Sequence, residues 1–71
     1  MADHVYSITE IAGSSTISLD DAIKKGVAVA ATSLRNLEWF EVTQIRGHVV
    51  DGAVKHYQVQ MKLGLRYEPK Q

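Results

Sequence analysis

EWFEVTQIRGHVV-DG-AVKHYQVQMKLGLRY, residues 38–67, is the stretch that decides how this chain folds. Asp51-Gly52 is a strong two-residue hairpin signal, because the tight turn it favours needs positive φ at both positions. The flanking runs are rich in Val, Ile, Thr, Phe, Tyr and Trp, and they predict two long strands near 38–50 and 53–67. With a tight turn, paired residues have numbers that sum to 103. Phe40 then faces Leu63, Val42 faces Met61 and Gln44 faces Val59. The apolar members of this face, Phe40, Val42, Val59, Met61, Leu63 and Leu65, form a strip that a helix must cover. The other face brings Trp39 opposite Gly64, Glu41 opposite Lys62, Thr43 opposite Gln60 and Ile45 opposite Gln58. The opposite charges of Glu41 and Lys62 support that register. In the same register Arg46 falls on the helix face, and His48 and His56 lie near the turn on opposite faces.

Upstream of the hairpin, Val5 to Ala12 alternates loosely and predicts a first strand. Gly13-Ser14-Ser15-Thr16 is a turn cluster. Ser18 is a good N-cap, and Asp20 and Asp21 behind it favour the positive end of a helix dipole. Leu19, Ile23, Val27, Ala30, Leu34 and Leu37 recur at spacings of three or four, which predicts an amphipathic helix over about 19–36. Ala28, Ala30 and Ala31 narrow one side of it. Gly26 costs about 1 kcal/mol against alanine inside a helix, and close packing against a neighbour accounts for it. Pro69 ends the pairing potential of the last strand. The reading is an α+β chain of order strand–helix–strand–strand, one domain over residues 1–71.

Eight basic residues balance eight acidic ones, which argues against a nucleic-acid or anionic-membrane partner. There is no cysteine, so disulfides and thiolate metal sites are excluded. No run approaches the roughly 18 apolar residues of a membrane span. Met1-Ala2-Asp3-His4 lacks the basic and apolar regions of a signal peptide, so the expected location is the cytoplasm. A domain this small buries only about 60% of its unfolded surface and is marginal alone. Of the usual supports for small domains, oligomerisation is the one left. The hairpin points the same way. A strand from 53 to 67 is about 50 Å long, whereas a compact chain of this size has a radius of gyration of about 11 Å. Such a hairpin overhangs its own helix and meets other subunits.

Nothing gathers into an active site. Ser14 and Ser15 lie in a turn without a nucleophile elbow. The histidines at 4, 48 and 56 show no zinc-type spacing, so no metal is expected. Gly13-Ser14-Ser15 before a helix could cradle a phosphate, but it lacks a Walker lysine and a GxGxxG pattern; a turn-and-cap role explains it. Trp39 is the only tryptophan, and it lies on the face the helix cannot cover. Gly64 opposite it leaves space over the indole. Gln58 on the same face can offer one acceptor and two donors to a heterocycle edge. Two readings of Trp39 stay open on these residues: subunit packing, or a platform for a flat aromatic ligand.

Leu37-Glu38-Trp39-Phe40-Glu41-Val42, Ile45-Arg46-Gly47-His48, Asp51-Gly52, Tyr57-Gln58-Val59 and Lys62-Leu63-Gly64-Leu65-Arg66 resemble the dodecins of the bacterial type. The resemblance runs from Val5 to Tyr67. It implies a three-stranded antiparallel sheet wrapped around one helix, assembled as a hollow homododecamer. It implies a non-catalytic flavoprotein that stores and buffers FMN or riboflavin and limits flavin photochemistry. In that family pairs of isoalloxazine rings stack between tryptophans of symmetry-related subunits, and Trp39 matches that tryptophan. Gln58 matches the glutamine on the flavin's pyrimidine edge, and Arg46 the arginine near the FMN phosphate. Either a bulge turns Arg46 off the helix face, or it reaches a flavin on a neighbouring subunit. Some members also hold coenzyme A, which is a second ligand the resemblance allows. The alternative is a structural oligomer whose Trp39 face only packs subunits. An enzyme using the flavin would need a substrate route and an acid/base group beside the ring, and the sequence shows neither.

Overall fold

The structure, a computed structural model, describes residues 3–68. The elements are β1 (Tyr6–Ser15), α1 (Leu19–Ala31), β2 (Leu37–Val50) and β3 (Ala53–Arg66). The three strands form one antiparallel sheet in the order β1-β3-β2, so β3 is central. The helix lies across one face. Pro69, expected to end the pairing, lies outside the described residues.

The first strand runs three residues past Ala12, and the turn is confined to Thr16 and Ile17. Ser15 explains the stop. Its buried hydroxyl donates to Asp21 Oδ2 (2.6 Å) and accepts from the backbone N–H of Ile17 (2.9 Å) and Ser18 (3.4 Å). Those bonds turn the chain and lead it into the helix. Ser18 is the N-cap, accepting from Asp21 N–H at 3.0 Å. The Ser15 hydroxyl, and then Lys25, hold the Asp21 carboxyl below its usual range.

The helix ends at Ala31, not near 36. Thr32 donates its hydroxyl to the Val29 carbonyl (2.6 Å), and the Leu34 N–H caps Ala30 O (2.9 Å). Asn36 then takes positive φ (60°), a conformation asparagine tolerates, and opens β2. Leu34 and Leu37 kept the helical spacing because they pack against the same core from outside the helix.

Gly26 packs as expected. A Cβ there would stand 3.4 Å from Gly13 Cα and 3.0 Å from Met61 Cε. A Cβ on Gly13 would stand 2.4 Å from the Ala22 backbone oxygen. Helix and sheet therefore meet where both backbones are bare. The fully covered core beneath is Ala22, Val59, Met61 and Leu63. Ile11, Ile23, Val27 and Val42 surround it.

Asp51 and Gly52 both have positive φ (52° and 76°), which is the tight turn the dipeptide favours. The expected register holds from Trp39 to Val42 and again beside the turn: Trp39 pairs with Gly64, Phe40 with Leu63, Glu41 with Lys62, Val42 with Met61, and Val50 with Ala53; beyond Trp39, Glu38 is an extra residue and Leu37 pairs with Leu65. Between those two stretches it shifts by one. Thr43 is an extra residue in β2 and Lys55 an extra residue in β3, so five pairs from Gln44–Gln60 to His48–His56 are displaced. Thr43 secures its bulge by donating its hydroxyl to Gln60 O at 3.1 Å. This corrects the flat-hairpin pairing. Ile45, not Gln44, faces Val59, and Arg46 faces Gln58 on the side away from the helix. His48 lands opposite His56 on that same side.

The chain is elongated, with extents of 56 × 20 × 16 Å and a radius of gyration of 14.8 Å. It exposes 5398 Å², against about 4,400 Å² for a compact folded monomer of this mass. On the arm beyond the helix Ile45, Val49 and Val54 are exposed. No helix of the described residues is long and apolar enough to cross a membrane.

Candidate functional site: the open face of the sheet

The face away from α1 is built in rows across β1, β3 and β2. Ile8, Gly64 and Trp39 form one row; Glu10, Lys62 and Glu41 the next. Ala12, Gln60 and Gln44 follow, then Ser14, Gln58 and Arg46. His56 and His48 close the series toward the turn.

Trp39 is held at one end. A Cβ on Gly64 would fall 1.9 Å from the indole Cε2, so the indole lies directly on the Gly64 backbone. The glycine is the seat of the ring rather than a space above it. Tyr6 meets the indole edge-on, with centroids 6.0 Å apart at 63°. Tyr6 is itself fixed by donating to Glu38 Oε1 at 2.9 Å. That acceptor carboxylate holds the phenol above its usual range. Arg66 contacts Glu38 (Nη1–Oε2, 3.4 Å) and Glu68 (Nε–Oε2, 3.3 Å). The second is an ion pair by distance but is not aligned as a hydrogen bond. One face of Trp39 is thus supported, one edge is braced, and 37% of the residue stays exposed.

Arg46 and Gln58 sit at the other end as cross-strand partners. Arg46 donates to Gln44 Oε1 and, at 3.3 Å, to Gln60 Oε1. Gln60 in turn donates to Glu10 Oε2 at 3.4 Å. The polar middle of the face is one connected network. Around Arg46 and Gln58 opens a cavity of about 270 Å³, also lined by Ser14, Gly47, His48 and His56. The six-residue step along β3 from Gly64 to Gln58 puts Trp39 about 20 Å from Gln58. The three expected site residues therefore share a face, but only two of them meet within one chain.

Sequence reasoning missed two participants. Tyr6 braces the indole because β1 pairs with β3, and the strand order is not written in any single motif. The His48–His56 contact depends on the Thr43 bulge. A signal for that bulge exists: Leu37, Phe40, Val42 and Ile45 lie on the helix side of the sheet at spacings of three, two and three, and each three marks an extra residue. Among the described residues no three of His, Asp or Glu gather as a metal-holding group.

The Dodecin family model matches residues 5–68, and the chain belongs to the dodecin family. The dodecin of Thermus thermophilus is 44% identical over 64 residues, covering 90% of this chain and 93% of that one. The structure of dodecin from Streptomyces coelicolor superposes with a TM-score of 0.90 at 47% identity, covering 99% of this chain and all of that one. A calcium dodecin from Mycobacterium tuberculosis, with a calcium-binding site of its own, shares the fold at 24% identity (TM-score 0.77, covering 94% of this chain and 96% of that one).

Proposed function

We propose that this chain is a non-catalytic flavin-binding protein. It stores and buffers FMN or riboflavin in a closed homododecamer, and it limits flavin photochemistry. Trp39 is the stacking residue, Gln58 bonds the pyrimidine edge, and Arg46 pairs with the phosphate of FMN. The observation that carries this reading is the Trp39 seat: an indole laid flat on Gly64, braced by Tyr6, with its other face open. A side chain filling a core would not need one free aromatic face. Two such platforms from symmetry-related subunits can clamp flat rings between them. Stacking contributes about 0.5–1.5 kcal/mol per aromatic pair beyond the area buried.

The separation of Trp39 from Gln58 makes assembly part of the site. About 20 Å is too far for one isoalloxazine to touch both in one chain, so the flavin must take its stack from one subunit and its edge and phosphate contacts from another. The exposed apolar arm supplies the reason to assemble. The test is FMN titration followed by flavin fluorescence, with native mass determination of the same sample. The expected outcome is strong quenching and a twelve-subunit species. A twelve-subunit species that neither binds nor quenches FMN would leave Trp39 as subunit packing.

A further inference from the structure

We propose that Tyr6 and Glu38 form a repair path for the Trp39 indole: a one-electron-oxidised Trp39 takes an electron from the Tyr6 phenol while the phenolic proton passes to Glu38. The purpose of the path rests on the flavin reading, since a photoexcited flavin is the oxidant that a stacked indole meets. Its chemistry needs no flavin and is tested without one.

Trp39 and Tyr6 meet edge-on, with ring centroids 6.0 Å apart at 63°. Rings this close exchange an electron with no group between them. Among the described residues no other aromatic ring pairs with the indole. Tyr57 lies opposite Gly47, seven residues along β3 from Gly64, which is about 23 Å away. The Tyr6 hydroxyl donates to Glu38 Oε1 at 2.9 Å. Arg66 Nη1 approaches the other carboxylate oxygen, Oε2, at 3.4 Å. One oxygen is thereby kept for the phenol. The bond to Glu38 holds the phenol above its usual range, so at rest Tyr6 keeps its proton. An oxidised phenol is a far stronger acid, and a base already in hydrogen-bond contact receives the proton as the electron leaves. An edge-on brace needs only a ring. The hydroxyl on its carboxylate is the added part.

In the transfer, the indole radical cation gains one electron and returns to neutral tryptophan. Tyr6 loses that electron, its O–H bond breaks, and it is left a neutral phenoxyl radical. The proton forms the O–H of a Glu38 carboxylic acid and is then released to water. Where the indole has already shed its N–H proton, it takes one back from water in the same exchange. A diffusible thiol gives the phenoxyl one hydrogen atom, which restores Tyr6 and leaves a thiyl radical. A phenol that gives up its proton is easier to oxidise at neutral pH than an indole, and that sets the direction from Tyr6 to Trp39.

The experiment is pulse radiolysis of the ligand-free assembled protein with azide radical, which oxidises indole in preference to phenol at neutral pH. Trp39 is the only tryptophan, so the indolyl band reports one site. In the parent that band should decay as phenoxyl absorbance grows, at one rate independent of protein concentration. Tyr6→Phe keeps the edge-on ring and should abolish the coupled growth. Glu38→Gln keeps a hydrogen-bond acceptor but is no base, and should slow the transfer at least about ten-fold. Phenoxyl growth that is missing in the parent, persists in Tyr6→Phe or keeps its rate in Glu38→Gln overturns the proposal. A second measurement needs no variant: the parent rate should fall in heavy water, because a proton moves with the electron, and an equal rate overturns the role of Glu38. Radical transfer in the ligand-free protein together with no FMN binding would overturn the flavin reading and leave the path standing.

Discussion

The two ends of the hairpin are made of similar strand sequence and live under different conditions. At the Trp39 end the helix covers the sheet, and Met61 and Leu63 are fully buried. At the turn end there is no helix, and Ile45, Val49 and Val54 face solvent at 59%, 63% and 53% exposure. The polar network follows the same division. Tyr6, Glu38 and Arg66 lock the indole in place, whereas Arg46, His48 and His56 line an open cavity. The first end has a buried core under the helix yet still leaves Ile8 (57%) and Phe40 (48%) exposed. The second has no helix over it. In the proposed flavin site the braced indole lies at the end with the buried core and the polar groups at the end without a helix.

The comparison breaks first at the core. Met61→Ala should cost about 2–5 kcal/mol, because a fully buried side chain leaves a cavity. Ile45→Ala should cost little within the chain and act on assembly instead. Chemical denaturation beside native mass spectrometry separates the two, and equal destabilisation by both changes would erase the distinction between the ends.

Trp39→Ala comes next. It should keep the fold and the assembled state while weakening flavin by on the order of 100-fold, from lost stacking and buried area. Fluorescence quenching should fall with it. Parent-like quenching in this variant would remove the platform. In the same titration series Gln58→Ala should cost about 0.5–1.5 kcal/mol, the net value of an edge hydrogen bond. Arg46→Ala should weaken FMN more than riboflavin, since only FMN carries the phosphate that a guanidinium pairs with.

Glu41 and Lys62 sharpen the comparison at its midpoint. They face each other in the register, and Glu10 flanks Lys62 on its other side. They are not among the ion pairs of the described residues. A double-mutant cycle should therefore give a coupling of at most about 1 kcal/mol, and a larger value would mean the row closes on assembly.

The smallest effect is on acid stability. The Asp21 carboxyl is held low by the Ser15 hydroxyl and Lys25. A carboxyl with a lowered folded pKa stabilises fully above its unfolded value, about pH 3.9. The contribution fades as pH falls through the lower folded value. Ser15→Ala should shift the acid unfolding midpoint upward, as read by circular dichroism. An unshifted midpoint would show that Ser15 does not act through Asp21.

Most of the fold was legible because strong local rules agreed. Asp51-Gly52 gave the turn, Ser18 with Asp20 and Asp21 gave the helix start, and the alternation Val59, Met61, Leu63, Leu65 gave the central strand. The helix end was hidden because Leu34 and Leu37 are buried for tertiary reasons that mimic helical spacing. The Trp39–Gly64 pairing was read correctly, while its meaning was reversed: the glycine receives the indole instead of leaving room above it. The placement of Arg46 and His48 turned on one extra residue, Thr43, whose identity carries no signal of its own. Only the broken spacing of apolar neighbours does.

The 56 Å length of this small chain has a thermodynamic consequence. In the proposed shell the surface left uncovered by α1 is withdrawn from water only when copies meet, so the native state is an association product. Mass action then enters the stability itself: dilution acts as a denaturant, and the melting temperature climbs with protein concentration. A cell holding this protein would set its resistance to unfolding partly through how much of it is made.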